Sequence, residues 1–288
     1  MSRHSLPTPL VSTDWLAGHL NEPGVRVVDA SMYLPNAGRD ARAEYLAGHI
    51  PGAVFADIGF LSDETAQYPH TMPAPDTFAT RLGSLGIGSE HAIVVYDSSG
   101  QNFSAPRLWF MLRIFGHQHV AVLDGGLKKW LAEGRATDTV VPEVVPTSFV
   151  AHLDATRLRD MHFMRENVSA QNVQVVDARS RGRYEATEPE PRSGVRGGHM
   201  PGSMNVHYAS LMNEDGTLRD KDALRAIIAD AGLDTGKPIV ASCGTGVTAC
   251  AVLLALDVIG DSNTALFDGS WTEWGSATDT PVETGPAR

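Results

Sequence analysis

Cysteine is nearly absent from this chain of 288 residues. The two present, Cys243 and Cys250, fall at a turn and in the helix expected to follow it, so neither a disulfide framework nor a structural zinc site can be assembled. Positive charge is also short: 23 Lys and Arg stand against 34 Asp and Glu, a net charge of -11. That balance repels a phosphate backbone and an anionic lipid surface, so neither nucleic acid nor a membrane is an expected partner. Long hydrophobic runs are missing as well. The longest, residues 249–256, stops at Asp257, far below the roughly 20 residues a spanning helix needs. Residues 1–12 carry Arg3, His4 and two prolines and lack the apolar stretch of a secretory signal, which makes the cytoplasm the expected location. The 28 Gly and 17 Pro are spread along the chain, not massed in one tract, which excludes fibrous and low-complexity classes.

What the chain does contain is an internal repeat. Val27-Val28-Asp29-Ala30 returns as Val175-Val176-Asp177-Ala178, and Gly48-His49-Ile50-Pro51-Gly52 returns as Gly198-His199-Met200-Pro201-Gly202. Ile93-Val94-Val95-Tyr96-Asp97 corresponds to Ile239-Val240-Ala241-Ser242-Cys243, and Leu123-Asp124-Gly125 with Trp130 to Phe267-Asp268-Gly269 with Trp274. The order is kept throughout. A period near half the chain is too long for a solenoid and reads as a duplicated domain. The expected division is 1–138, a Pro-containing linker at 139–148, and 149–288.

Within each half, β-branched runs at 25–28, 93–96, 120–123, 173–176 and 239–241 read as buried strands. Residues 77–85, 106–115, 221–231 and 248–259 have apolar residues at helical spacing. Alternating strand and helix predicts an α/β fold, each half a parallel sheet flanked by helices on both faces, with ligands outside the carboxyl ends of the strands.

The chemistry concentrates where a strand ending at Ser242 runs into Cys243-Gly244-Thr245-Gly246-Val247-Thr248 and then a helix. Unpaired N–H groups and the positive end of the helix dipole favour thiolate over thiol at such a place. The glycines let the loop curl, so the N–H groups of Gly244, Thr245, Gly246, Val247 and Thr248 can form an anion nest for a thiolate or a persulfide sulfur. A Cys-x5-Arg phosphatase would need Arg where Ala249 stands. The run from Gly244 to Ala249 also fits a dinucleotide fingerprint, but too little chain follows Asp268 to complete that fold. His49 and His199 occur in both copies of the repeat while only one copy has a nucleophile, so they read as structural. The run Gly116-His117-Gln118-His119 reads as a helix-to-strand turn, and no metal site is expected.

Three segments, Tyr45-Leu46-Ala47-Gly48-His49-Ile50-Pro51-Gly52-Ala53, the Leu-Asp-Gly-Gly at 123–126, and Cys243-Gly244-Thr245-Gly246-Val247-Thr248-Ala249, resemble tandem rhodanese-domain sulfurtransferases over nearly the whole chain. Within that family the neutral loop after the cysteine is similar to that of 3-mercaptopyruvate sulfurtransferases, whereas thiosulfate sulfurtransferases carry basic residues there. The resemblance implies two tandem rhodanese-like domains, the first catalytically silent with Asp97 in the place of its cysteine. It implies Cys243 as the nucleophile that carries a persulfide, and Arg183 and Arg192 as the pair that binds the carboxylate of 3-mercaptopyruvate. Arg179 would brace the site. A triad of Thr245, His70 and Asp63 would protonate the departing pyruvate enolate, with Thr in place of the commoner Ser. The sulfur acceptor would be thioredoxin, a small thiol or cyanide, and no cofactor is implied. Two alternatives stay open: a thiosulfate sulfurtransferase, and a persulfide-carrying regulatory protein without turnover.

Overall fold

In a computed structural model, residues 6–34 and 37–286 are described. The first sheet consists of β1 (Leu10–Val11), β2 (Val25–Asp29), β3 (Val54–Phe55), β4 (Ala92–Tyr96) and β5 (Val120–Leu123), in the order β1-β5-β4-β2-β3. The second consists of β6 (Leu158–Arg159), β7 (Gln174–Asp177), β8 (Met204–Asn205), β9 (Ile239–Ser242) and β10 (Thr264–Phe267), in the order β6-β10-β9-β7-β8. Every pairing is parallel. The two orders are the same once the numbering is shifted by one domain, as a duplication requires.

The long strands form where the β-branched runs predict them. All five residues of β4 and all four of β9 are buried, the signature of parallel strands covered on both faces. The two-residue strands β1, β3, β6 and β8 carry no such run and are set by pairing with their neighbours. Helices α1 (Thr13–His19), α2 (Ala41–Ala47), α3 (Pro75–Ser84), α4 (Ala105–Ile114) and α5 (Gly126–Ala132) flank the first sheet. Helices α6 (Met161–Ala170), α7 (Arg181–Glu185), α8 (Lys221–Asp230), α9 (Ala249–Ile259) and α10 (Ser270–Ser276) flank the second. The four helices expected from apolar spacing are α3, α4, α8 and α9, each within two residues of its expected bounds. In α9 every residue from Ala249 to Leu256 is buried, so the longest apolar run of the sequence is a core helix. Among the described residues no helix is long and apolar enough to cross a membrane.

The chain divides into two compact units that exchange short segments. The first comprises Met1–Glu64, Met72–Asp154 and Met212–Leu218; the second comprises Thr65–Thr71, Ala155–Leu211 and Arg219–Arg288. The span 139–148, expected as a linker, falls in the first unit. Asp63 belongs to the first unit and His70 to the second.

Candidate active site

Cys243 directly follows β9 at the carboxyl edge of the second sheet, the edge at which parallel α/β sheets place ligands. Its side chain is 1% exposed. The loop that follows turns at Gly246, whose φ is +77°, and enters α9. The start of α10 locks this loop from one side. The Cys243 N–H donates to Ser270 Oγ at 3.2 Å, and the Cys243 carbonyl accepts from the Trp271 N–H at 2.9 Å. The Gly244 carbonyl accepts from the Thr272 N–H at 2.9 Å and from Thr272 Oγ1 at 2.6 Å. Ser270 holds a left-handed φ of 50°, which aims its hydroxyl at the cysteine amide and at the Phe267 carbonyl.

Thr245, two residues after the cysteine, is 7% exposed, and its Oγ1 lies 3.0 Å from His70 Nδ1. The segment 65–71 therefore brings His70 to the loop within the second unit, with His70 itself at φ 64°. Asp63 is partly buried just before that segment.

Arg183 sits on α7, whose first turn is capped by Ser180. Its guanidinium is gripped by Glu190 through Nε at 3.2 Å and Nη2 at 2.6 Å. Glu190 also accepts from Arg179 Nη1 at 2.7 Å. Arg179 is itself fully buried, paired with Asp177 at 2.6 Å and bonded to the Gly198 carbonyl at 2.7 Å. Its guanidinium lies 4.3 Å from the centre of the Trp271 ring. All three guanidinium nitrogens of Arg179 are thus engaged by groups of the fold. Burial would lower its pKa, but Asp177 and Glu190 outweigh that and raise it.

Gly244 explains how Arg183 can approach the loop. A Cβ built there would lie 3.2 Å from Arg183 Nη2 and 4.0 Å from Nη1. The bare backbone leaves that space to the guanidinium. Arg192 is half-buried beside the same group. Its pKa is lowered by burial and by the charge of Arg183, and supported by Cys243 and Glu190, so Arg192 feels both the neighbouring guanidinium and the sulfur. His207 faces this cluster too, its pKa lowered by burial and by Arg183 against the opposing pull of Glu188.

Of the site residues expected from the sequence, Cys243, Thr245, His70, Arg183 and Arg192 lie in the second unit and Asp63 lies in the first. The sequence reading did not name Glu190, Ser270 or Thr272. Glu190 alternates with prolines in Glu188-Pro189-Glu190-Pro191-Arg192, where Glu190 and Arg192 are partly buried and both prolines exposed. His49 and His199 each stack on a tyrosine and hydrogen-bond its carbonyl, His49 on Tyr45 and His199 on Tyr184. That is a packing role.

The rhodanese-like domain model matches residues 12–133 and 161–277. The chain belongs to the tandem rhodanese-domain sulfurtransferases. It is 42% identical to a 3-mercaptopyruvate sulfurtransferase of Escherichia coli, over 96% of this chain and 98% of that one. It is also 42% identical to a thiosulfate sulfurtransferase of Cricetulus griseus, over 92% of this chain and 91% of that one. The crystal structure of a 3-mercaptopyruvate sulfurtransferase from Escherichia coli superposes with a TM-score of 0.84 at 40% identity, covering 92% of this chain and 99% of that one. Overall identity is the same for the two donor classes, so the donor must be read from the loop.

Proposed function

We propose that this enzyme takes sulfur from 3-mercaptopyruvate, stores it as a persulfide on Cys243, and passes it to an acceptor thiol or to cyanide, releasing pyruvate. The observation that carries the choice of donor is Gly244, with Arg183 Nη2 occupying the space of a side chain. A basic residue at that position would bring a second cation against Arg183. A neutral loop with two arginines beside it suits a donor whose single carboxylate is held at a distance from the attacked sulfur.

The Cys243 thiolate attacks the donor sulfur, and an S–S bond forms as the donor's C–S bond breaks. The electron pair of that bond goes to the pyruvate enolate, whose carbon must then take a proton. Thr245 Oγ1 with His70 Nδ1 at 3.0 Å supplies a hydroxyl polarised by an imidazole, the arrangement of a catalytic triad used with a different nucleophile. Asp63 is the carboxylate assigned to orient His70. Arg183 and Arg192 hold the carboxylate. In the second half-reaction the acceptor, thioredoxin, a small thiol or cyanide, attacks the outer sulfur and restores the thiolate. None of these steps calls for a metal or an organic cofactor. The domain division proposed with this mechanism is a silent half at 1–138, a linker at 139–148 and a catalytic half at 149–288.

A thiosulfate sulfurtransferase is the second reading, favoured by the equal identity to the Cricetulus griseus enzyme. Side-by-side initial rates decide between them: pyruvate release from 3-mercaptopyruvate and sulfite release from thiosulfate, with cyanide as acceptor. Higher efficiency with 3-mercaptopyruvate is expected. Higher efficiency with thiosulfate overturns the donor assignment, and turnover of neither leaves a persulfide-carrying regulatory protein.

A further inference from the structure

Four charged side chains line up behind the Cys243 loop: Asp177, Arg179, Glu190 and Arg183. Arg179 and Asp177 are 0% exposed, Glu190 is 4% and Arg183 is 20%. Charges this deep are tolerated when paired, and the pairs here run in series. Asp177 neutralises Arg179. Glu190 reaches past Arg179 and takes two N–H groups of Arg183 in a fork. The row therefore sums to zero and leaves Arg192 as the net cation beside the sulfur. Arg179 needs no second carboxylate to be neutral, since Asp177 already contacts it through Nε and Nη2. Glu190 is the member whose charge is turned toward the substrate side.

We propose that Glu190 is a positioning residue that sets the donor choice, by aiming Arg183 across Gly244 and by cancelling its charge so that the pocket favours donors of lower negative charge. The inference rests on the proposed sulfur transfer and adds a residue that the loop sequence alone does not supply. Two consequences follow from the fork. With Nε and Nη2 committed to Glu190, Arg183 keeps Nη1 and the outer edge of Nη2 for a ligand, and the rotation of the guanidinium is fixed. With its charge offset, Arg183 acts on the ligand by hydrogen bonding more than by long-range attraction. A further negative charge, as on thiosulfate, then gains little.

Glu190→Gln keeps the volume, removes one negative charge and leaves one guanidinium facing an amide N–H. The Glu190→Asp variant keeps the charge and shortens the reach. The kcat/KM ratio of thiosulfate to 3-mercaptopyruvate is expected to rise at least about threefold in Glu190→Gln and to stay within about twofold in Glu190→Asp, because the ratio follows charge. A residue that only holds the fold together would lower both donors alike in both variants, and an unchanged ratio in Glu190→Gln overturns the proposal.

A second readout needs no turnover and separates failure of this inference from failure of the sulfurtransferase reading. Cys243 alkylation by iodoacetate, an anion, is compared with alkylation by neutral iodoacetamide. The ratio of the two rates should rise at least about threefold in Glu190→Gln and hold in Glu190→Asp; no rise overturns the inference whatever the enzyme does with its donors. Should Glu190→Gln not fold, Arg183→Gln gives the opposite test. It leaves the Glu190 charge uncompensated, so the iodoacetate to iodoacetamide ratio must fall, and an unchanged ratio there is equally decisive.

Discussion

The two halves of the molecule carry corresponding loops at the same strand end and fill the first position differently, with a carboxylate in one and a thiol in the other. At the end of β4 the carboxylate of Asp97 accepts from Ser99 N–H at 2.9 Å, Ser99 Oγ at 2.5 Å, Ser104 N–H at 2.8 Å and Ala105 N–H at 2.9 Å. The residue filling the place of the cysteine is thus an anion that satisfies the donors at the start of α4 from within. At the end of β9 a thiol stands there instead. The contrast extends outward. Where the second half has Arg183 before Tyr184, the first has Glu44 before Tyr45, tied to Arg39 and Tyr33. Where Asp177 has Arg179 two residues on, Asp29 has Ser31, and its carboxyl is raised above 3.8 by burial and by the charge of Asp97. Even the locking bond is shared: the Leu127 N–H donates to the Asp97 carbonyl at 3.0 Å as the Trp271 N–H does to that of Cys243. In the first half this loop is an anion cradle, filled by its own carboxylate. Under the proposed mechanism the sulfur on Cys243 would fill the second with each turnover.

The largest effect expected on that contrast comes from the arginines that stand only in the second loop's surroundings. Arg183→Ala or Arg192→Ala removes a charged hydrogen bond, and efficiency with 3-mercaptopyruvate should drop about 10- to 150-fold, roughly 1.5–3 kcal/mol. Steady-state kinetics with both donors checks it. A loss equal for thiosulfate would mean that the arginine holds structure and not the carboxylate.

Next is the carboxylate that closes the silent cradle. In Asp97→Asn an amide N–H faces backbone donors, and the unfolding free energy should fall by about 2 kcal/mol while catalysis per folded molecule is kept. Denaturant midpoints measure the first and rates at saturating donor the second. A variant as stable as the parent would show that the cradle in the first half needs no anion.

Moving the catalytic loop toward a cationic one is expected to have a smaller effect. Replacing Gly244-Thr245 by Arg-Lys displaces Arg183 and removes the hydroxyl beside His70. The efficiency ratio should swing toward thiosulfate by at least about tenfold, some 1.4 kcal/mol. A folded double variant with the parent's ratio would deny the loop any part in donor choice and would undo the role assigned to Thr245.

The smallest effect concerns corresponding turns of the two halves. His117 follows Gly116, and Asp261 follows Gly260, and burial shifts the two in opposite directions. The pKa of His117 is pushed down to about 4, and that of Asp261 is raised from 3.8. For His117 the unfolded chain binds its proton first, so stability present above about pH 6.5 is lost as pH falls toward 4. For Asp261 the folded state holds the proton more tightly, so its burden at neutral pH is relieved in acid. Between pH 7 and pH 6 the His117 contribution is about 0.7 kcal/mol. Wild type should lose more stability over that interval than His117→Gln, as read from denaturant midpoints at the two pH values. Equal losses would locate the acid sensitivity elsewhere.

Much of this contrast was legible in the sequence because duplication writes each element twice. The strands β2, β4, β5, β7 and β9 showed as β-branched runs, and Cys243 stood out because it breaks a repeat in which Asp97 is its partner. The two-residue edge strands were not legible, since pairing with a long neighbour makes them and no local pattern marks them. Nor was the exchange of 65–71 and 212–218 between the units, which depends on tertiary bonds such as the Leu218 N–H to Asp124 Oδ1 at 2.7 Å. Glu190 was not singled out, since in sequence it is one carboxylate in a proline-interrupted run. Its partners, Arg179 and Arg183, are both nearby in sequence, but only the folded geometry shows that one carboxylate serves both. Ser270 was hidden for a different reason: its left-handed backbone stands where the first half has Gly126, at φ +54°, and no propensity predicts serine there.

The most direct test follows the sulfur itself. The protein is treated with 3-mercaptopyruvate in the absence of acceptor, digested without reduction, and its peptides weighed and fragmented so that Cys243 and Cys250, seven residues apart, are resolved. One added sulfur atom is predicted on the peptide holding Cys243, with none on Cys250, whose Sγ is buried against the Gly246 carbonyl at 3.3 Å, and none anywhere in Cys243→Ser. Sulfur on Cys250, or continued transfer by Cys243→Ser, would contradict the mechanism.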